Sequence, residues 1–169
     1  ASAYHSGIDI PAAEGTYIYS VCDGIVEFAS WGAGGGYTVV VSNNNISVSY
    51  CHVSPIFLVL RGENVTAGQV IATVGPKNVY NIKNNPYKDS NGNPTNGATT
   101  GCHLHLTIKK DGSAVNPLNY FNYYISSSSS LASSPNSSAK WLQPLQFPEQ
   151  PSSSSSPQSN SIVLWHSGH

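Results

Sequence analysis

The sequence predicts an all-β fold, an antiparallel sheet or sandwich, over residues 1–124, followed by a low-complexity C-terminal tail at 125–169. Three observations predict it. No segment carries a 3.6-residue apolar period, so helix content should be low. Short runs rich in Val, Ile, Thr and Tyr recur between clusters of Gly, Asn and Pro. Finally, the clearest patterned stretch, His103-Leu104-His105-Leu106-Thr107-Ile108, alternates polar and apolar residues with period two.

The elements follow in chain order. Residues 16–21 read as a strand, Asp23-Gly24 as a hairpin turn and 25–28 as the partner strand. The glycine-rich stretch 32–36 turns the chain into a strand at 37–41, and Asn43-Asn44-Asn45 turns it again into a strand at 46–52. Residues 65–74, with Ala67-Gly68 inside, suggest another hairpin. Residues 76–101 are rich in Asn, Gly, Thr and Pro. A loop of that length is uncommon in a small domain and is often a functional wall or lid. It runs directly into His103, so it should border the site.

Composition narrows the function. At 169 residues the chain is one domain plus an appendage, enough to bury a core. Charged residues make up 9%, against roughly 25% in ordinary domains. The net charge of −1, with no block of like charges, argues against nucleic-acid binding. No apolar run approaches the roughly 18 residues of a membrane span, so neither a span nor a signal peptide is expected in these residues. The absence of Met predicts a processed product or part of a longer polypeptide.

The tail holds two five-serine runs and scattered Pro and Gln, the composition of a linker. Two apolar islands, 141–147 and 162–165, interrupt it. One reading is a disordered linker. The other is a tail whose islands dock on a partner protein or on their own domain. The cysteines, Cys22, Cys51 and Cys102, are odd in number, which rules out a fully paired intramolecular framework. Their small and apolar neighbours suit buried thiols. A Cys51–Cys102 bridge is the alternative, since both would point to the reverse face of strands that carry histidines.

Chemistry concentrates in the histidines. On a strand, His103, His105 and Thr107 share one face and Leu104, Leu106 and Ile108 the other. Same-face neighbours lie about 7 Å apart at Cα, close enough for two imidazoles to work around one ion. His5 and Asp9 would lie about 13 Å apart on a regular strand, so a shared metal requires a bend. Gly7 sits where a bend is cheapest. A His/Asp/His set with a water in the fourth position is the pattern of catalytic zinc, and it is too rich in nitrogen for calcium or magnesium. Manganese, iron and cobalt remain open by ligand type.

The order of motifs carries a resemblance. His5-Ser6-Gly7-Ile8-Asp9, then Gly15-Thr16, then Asp23-Gly24-Ile25-Val26 resemble the opening of the lysostaphin/LytM-type zinc endopeptidases. Tyr50-Cys51-His52-Val53-Ser54 is similar to that family's Y-x-H-[LV]-S, and residues 65–75 to its V-x-x-G-Q-x-I-x-x-x-G segment. Thr100-Gly101-Cys102-His103-Leu104-His105-Leu106 matches T-G-x-H-L-H-[FL], and Val115-Asn116-Pro117 resembles the usual domain end. The family commonly has Ala, Pro and Glu where Cys51, Cys102 and Thr107 stand here.

The resemblance implies that His5, Asp9 and His105 hold one Zn2+ and that His52 and His103 are catalytic. It implies a peptidoglycan hydrolase that cleaves peptide crosslinks by metal-activated water attack, working outside the cell, at the cell wall or on a virion. Tyr37, Tyr80 and Tyr87 are expected to line the substrate groove; Tyr50, expected on the same strand face as His52, either joins them or packs in the core. The rival reading is a catalytically silent member serving as a structural or regulatory binding module in a cell-wall or phage-tail complex.

Overall fold

The alternating segments pair as their side chains require. The computed structural model describes residues 6–125 and 162–166, the latter and 121–125 through their backbone. The larger sheet contains β1 (Ile8–Pro11), β3 (Gly24–Trp31), β4 (Tyr37–Asn43), β5 (Ile46–Cys51), β6 (Asn64–Val65), β8 (His103–Lys110) and β9 (Ser113–Val115). Its order is β1-β8-β5-β4-β3-β6, with β9 on β8, and every pair is antiparallel. The smaller sheet contains β2 (Tyr17–Tyr19), β7 (Val70–Thr73), β10 (Phe121–Ile125) and β11 (Ile162–His166), ordered β10-β11-β2-β7. Here β11 meets β2 in parallel at Ile162 and Ile18. The fold is all-β, as the sequence predicts.

One apolar core serves both sheets. From the larger sheet Val39, Val41, Val48, Tyr50, Leu104, Leu106 and Ile108 enter it, and from the smaller sheet Ile18, Ile71 and Ala72. The central strands β4, β5 and β8 each send alternate residues inward, so the opposite face of β8 carries His103, His105 and Thr107.

Two expected hairpins are corrected. Asp23-Gly24 joins β2 to β3, which lie in different sheets, and the 65–74 segment divides between β6 and β7 in the same way. These two turns bond to each other where the sheets meet. Ser20 N donates to Gln69 O at 2.8 Å, Gly68 N to Ser20 O at 2.8 Å, and Ala67 N to Asp23 Oδ1 at 2.8 Å. Alternation within a strand reports its buried face and says nothing about which neighbour it pairs with.

The predicted long loop, 76–101, has no named strand. It is anchored against the β3–β4 connection, a 3-10 turn at Ala33–Gly35. Gly97 (φ 76°) lies directly on Gly36 (φ 63°), and a Cβ on either would collide with the other segment's backbone. Two glycines therefore weld the loop to the sheet.

All three thiols are free, as expected, with no Cys51–Cys102 bridge. Cys51 is buried, but Cys22 is half-buried and Cys102 exposed, against the expectation of burial. Burial pushes the Cys22 thiol up to about 11, with Asp23 adding to it. Cys51 pairs across the sheet with His105, so it shares that face and does not point behind it. In the tail, the 141–147 island lies outside the described residues. The 162–165 island falls within β11, whose backbone pairs with β10 and β2 of its own domain.

Tyr50 is fully buried, and its hydroxyl accepts from Val21 N at 2.9 Å. Tyr50→Phe strands that amide and should lower stability by about 1–3 kcal/mol in urea denaturation. Loss of the hydroxyl should leave any catalytic activity intact.

Candidate active site

The site forms on the polar face of β8. Asp9 of β1 stands directly opposite His105, and cross-strand partners project from the same face. The His105 Nδ1 to Asp9 Oδ1 distance is 2.6 Å. His105 Nε2 lies 3.1 Å from Thr107 Oγ1, two residues along the same face. His103 completes the row, its Nε2 3.4 Å from Asp9 Oδ1. Immediately before β1, Gly7 crosses this row so closely that a Cβ there would meet Leu106 O, and would sit 3.0 Å from His105 Nε2. Glycine at 7 is thus demanded by close approach as well as by bending.

His52 arrives by another route. β5 ends at Cys51, and His52 adopts φ 61°, the left-handed region that a non-glycine residue rarely occupies. Alternation breaks there, so Tyr50 and His52 do not share a face. This corrects the placement of Tyr50 in the groove: it is a core residue with no exposed surface. Three hydrogen bonds hold the turn. His52 N donates to Gly35 O at 2.7 Å, Gly75 N donates to His52 O at 2.9 Å, and the ring Nδ1 lies 2.7 Å from Asn96 O.

That last contact settles the tautomer. A carbonyl oxygen only accepts, so Nδ1 carries the hydrogen and the neutral ring keeps its lone pair on Nε2. Burial lowers the His52 pKa to about 4, opposed in part by the Asn96 bond, with His103 and His105 adding to the depression. His103 is held similarly: its Nδ1 lies 3.0 Å from Gly101 O. The two rings stand edge to face with centroids 4.8 Å apart, and His52 is 6.2 Å from His105.

Asn96 is the residue that sequence reasoning missed. It is fully buried in the long loop. Its Oδ1 accepts from Tyr37 N at 2.8 Å and its Nδ2 donates to Val53 O at 3.0 Å, while its carbonyl holds His52. The expectation that this loop borders the site is met, because Asn96, Thr99 and Gly101 all touch the histidines or their supports. An Asn-Gly pair in a long loop reads simply as a turn.

The remaining expected groove residues separate. Tyr37 is a second correction: it is buried between Trp31 and Phe57, and its hydroxyl accepts from Asn81 Nδ2 at 2.7 Å. Tyr80 is exposed and Tyr87 half-buried, close to Gly34 of the β3–β4 turn.

His5 lies outside the described residues. Among the described residues no group of three or more His, Cys, Asp or Glu is arranged to hold a metal ion. The donor chemistry nevertheless fits zinc. One carboxylate oxygen and one imidazole nitrogen from facing strands converge, the combination zinc accepts, with His5 two residues before Gly7 in the sequence.

Similarity to known proteins agrees with this geometry. The chain matches the sequence model of Peptidase family M23 over residues 3–117. It belongs to that family. Over 115 residues, 68% of the chain and 22% of the relative, this M23 domain is 31% identical to the DD-carboxypeptidase/endopeptidase Mpg of Neisseria meningitidis. It is 33% identical over 111 residues, 66% of the chain and 22% of the relative, to the murein hydrolase activator EnvC of Escherichia coli. The chain thus spans about a fifth of the length of these curated relatives. Among solved structures, a zinc-containing peptidase from Vibrio cholerae matches with TM-score 0.51 and 27% identity, over 66% of this chain and 28% of that one. The catalytic domain of lysostaphin from Staphylococcus simulans shares the fold, with TM-score 0.53 and 24% identity over 68% and 77% of the two chains.

The depressed His52 pKa has a consequence for stability. Unfolded, the ring takes up a proton near pH 6.5; folded, it stays neutral down to about 4. Between those values the unfolded chain binds more protons, so stability falls as pH drops and levels off below about 4. Urea midpoints of chelator-treated protein between pH 7 and 4 should show this loss. His52→Asn, which tolerates the left-handed backbone, should remove that component of the slope.

Proposed function

We propose that the chain is a zinc-dependent endopeptidase that hydrolyses peptide crosslinks of bacterial peptidoglycan, acting outside the cytoplasm. The single observation that carries this reading is the convergence of Asp9, His105, His103 and His52 on one face, with both catalytic candidates fixed by backbone carbonyls. His5, Asp9 and His105 would hold the metal. Zinc, when bound, supplies a Lewis acid for the scissile carbonyl and a water that is nucleophilic near neutral pH.

The chain's own residues supply the proton transfers. His52, neutral with its lone pair on Nε2, is the acceptor for the water proton. His103 keeps Nδ1–H on Gly101 O and, when protonated, presents Nε2–H beside Asp9 Oδ1. It is the ring placed to stabilise the oxyanion or to protonate the departing amine. No glutamate occupies the base position, since H-E-x-x-H is absent. The exposed Tyr80 and half-buried Tyr87 are the tyrosines left to contact an extended peptide. The similarity to EnvC favours a second reading, an activator of another wall hydrolase, against which Asp9, His52, His103 and His105 all stand in the chain.

Metal analysis and release of new amine ends from purified peptidoglycan separate these readings. The unaltered chain should bind one zinc and release amines. Asp9→Ala and His105→Ala should lose both zinc and activity. His52→Ala should keep zinc while kcat falls by about 10²–10⁴. A chain that binds no zinc, releases no amines and yet stimulates a separate hydrolase would replace this reading with the activator.

A further inference from the structure

The geometry points to Thr107 as the positioning residue that makes Nδ1 of His105 the metal-binding nitrogen, an inference that rests on the zinc reading above. Thr107 is 8% exposed, and among the described residues the only hydrogen-bond partner of its hydroxyl is His105 Nε2, at 3.1 Å. His105 Nδ1 faces the other way, onto Asp9 Oδ1. The ring thus meets Asp9 on Nδ1 and Thr107 on Nε2, and what the Thr107 side accepts or donates bears on what the Asp9 side can be.

A metal takes an imidazole through a nitrogen that has no hydrogen. If Nδ1 is that nitrogen, Nε2 carries the hydrogen and must donate it, and the acceptor within reach is Thr107 Oγ1. Without metal, Nδ1–H donates to the Asp9 carboxylate and Nε2 becomes an acceptor, which the Thr107 hydroxyl satisfies by donating. A hydroxyl can reverse its role in this way. A carboxylate, which the family commonly carries at this position, can only accept. The threonine thus keeps His105 hydrogen-bonded on Nε2 in both states. The bare Cα of Gly7 passes over the contact, where a Cβ would stand 2.8 Å from Thr107 Oγ1.

The test compares Thr107→Val, which keeps the shape and removes the hydroxyl, with Thr107→Ser, which restores the hydroxyl. Zinc affinity of the full chain is measured by competition with a chromophoric chelator, and the His105 tautomer by long-range proton–nitrogen NMR. Thr107→Val should weaken zinc about 10- to 100-fold and remove the Nε2–H signature of zinc-loaded His105. Thr107→Ser should recover both. Zinc affinity unchanged in Thr107→Val, or no recovery in Thr107→Ser, would overturn the assignment. His105→Ala is measured in parallel: undiminished zinc binding there would overturn the zinc site itself, a failure distinct from that of Thr107.

Discussion

The hydrogen bond from His52 Nδ1 to the carbonyl of Asn96 is the interaction on which the rest of the site depends. It spans 44 residues of sequence and joins the end of β5 to the long loop. At one end it fixes the ring and its tautomer. At the other, the Asn96 side chain bonds the backbone at Tyr37 and at Val53, the start of β4 and the residue after His52. One buried amide therefore ties the loop to the same two strands that present the histidine. A left-handed residue other than glycine costs about 1–3 kcal/mol and persists only when its surroundings over-determine it. Here three hydrogen bonds and the Gly36–Gly97 contact do so.

The histidine-bearing face then follows from sheet geometry. Antiparallel pairing of β1 with β8 places Asp9 against His105 without any help from loops, and period two brings His103 and Thr107 to the same row. The two halves of the site thus have different origins. The carboxylate and His105 sit on paired strands, while His52 comes from a strained turn. Rigid strands suit a metal, whose ligands must be held within a few tenths of an ångström. A histidine held by a separate turn can be oriented independently of them.

The β8 half of this arrangement was legible in the sequence. The H-x-H alternation assigned faces correctly, and low helix content followed from the missing 3.6 period. The glycine at 7 announced only a bend, whereas its close approach to Leu106 and His105 emerged from the packing. What sequence could not reveal lies in interactions with no side-chain signature. Tyr50 and His52 were expected on one face because alternation has no way to anticipate a positive φ at His52. Asn96 acts on His52 through its backbone carbonyl, which every residue possesses. The two false hairpins share one cause: a turn dipeptide announces a reversal, and only packing decides whether the chain returns to the same sheet. Cys51, expected behind the site, faces it because its pairing with His105 sets its side.

The central claim is that the long loop holds His52 as a neutral ring with Nε2 as its basic nitrogen. Long-range proton–nitrogen NMR of the full, uniformly labelled chain at neutral pH reads this directly, with His52 assigned by its loss in His52→Asn. The account predicts a protonated Nδ1 and an unprotonated Nε2. A ring protonated on Nε2 alone, or on both nitrogens, would contradict it.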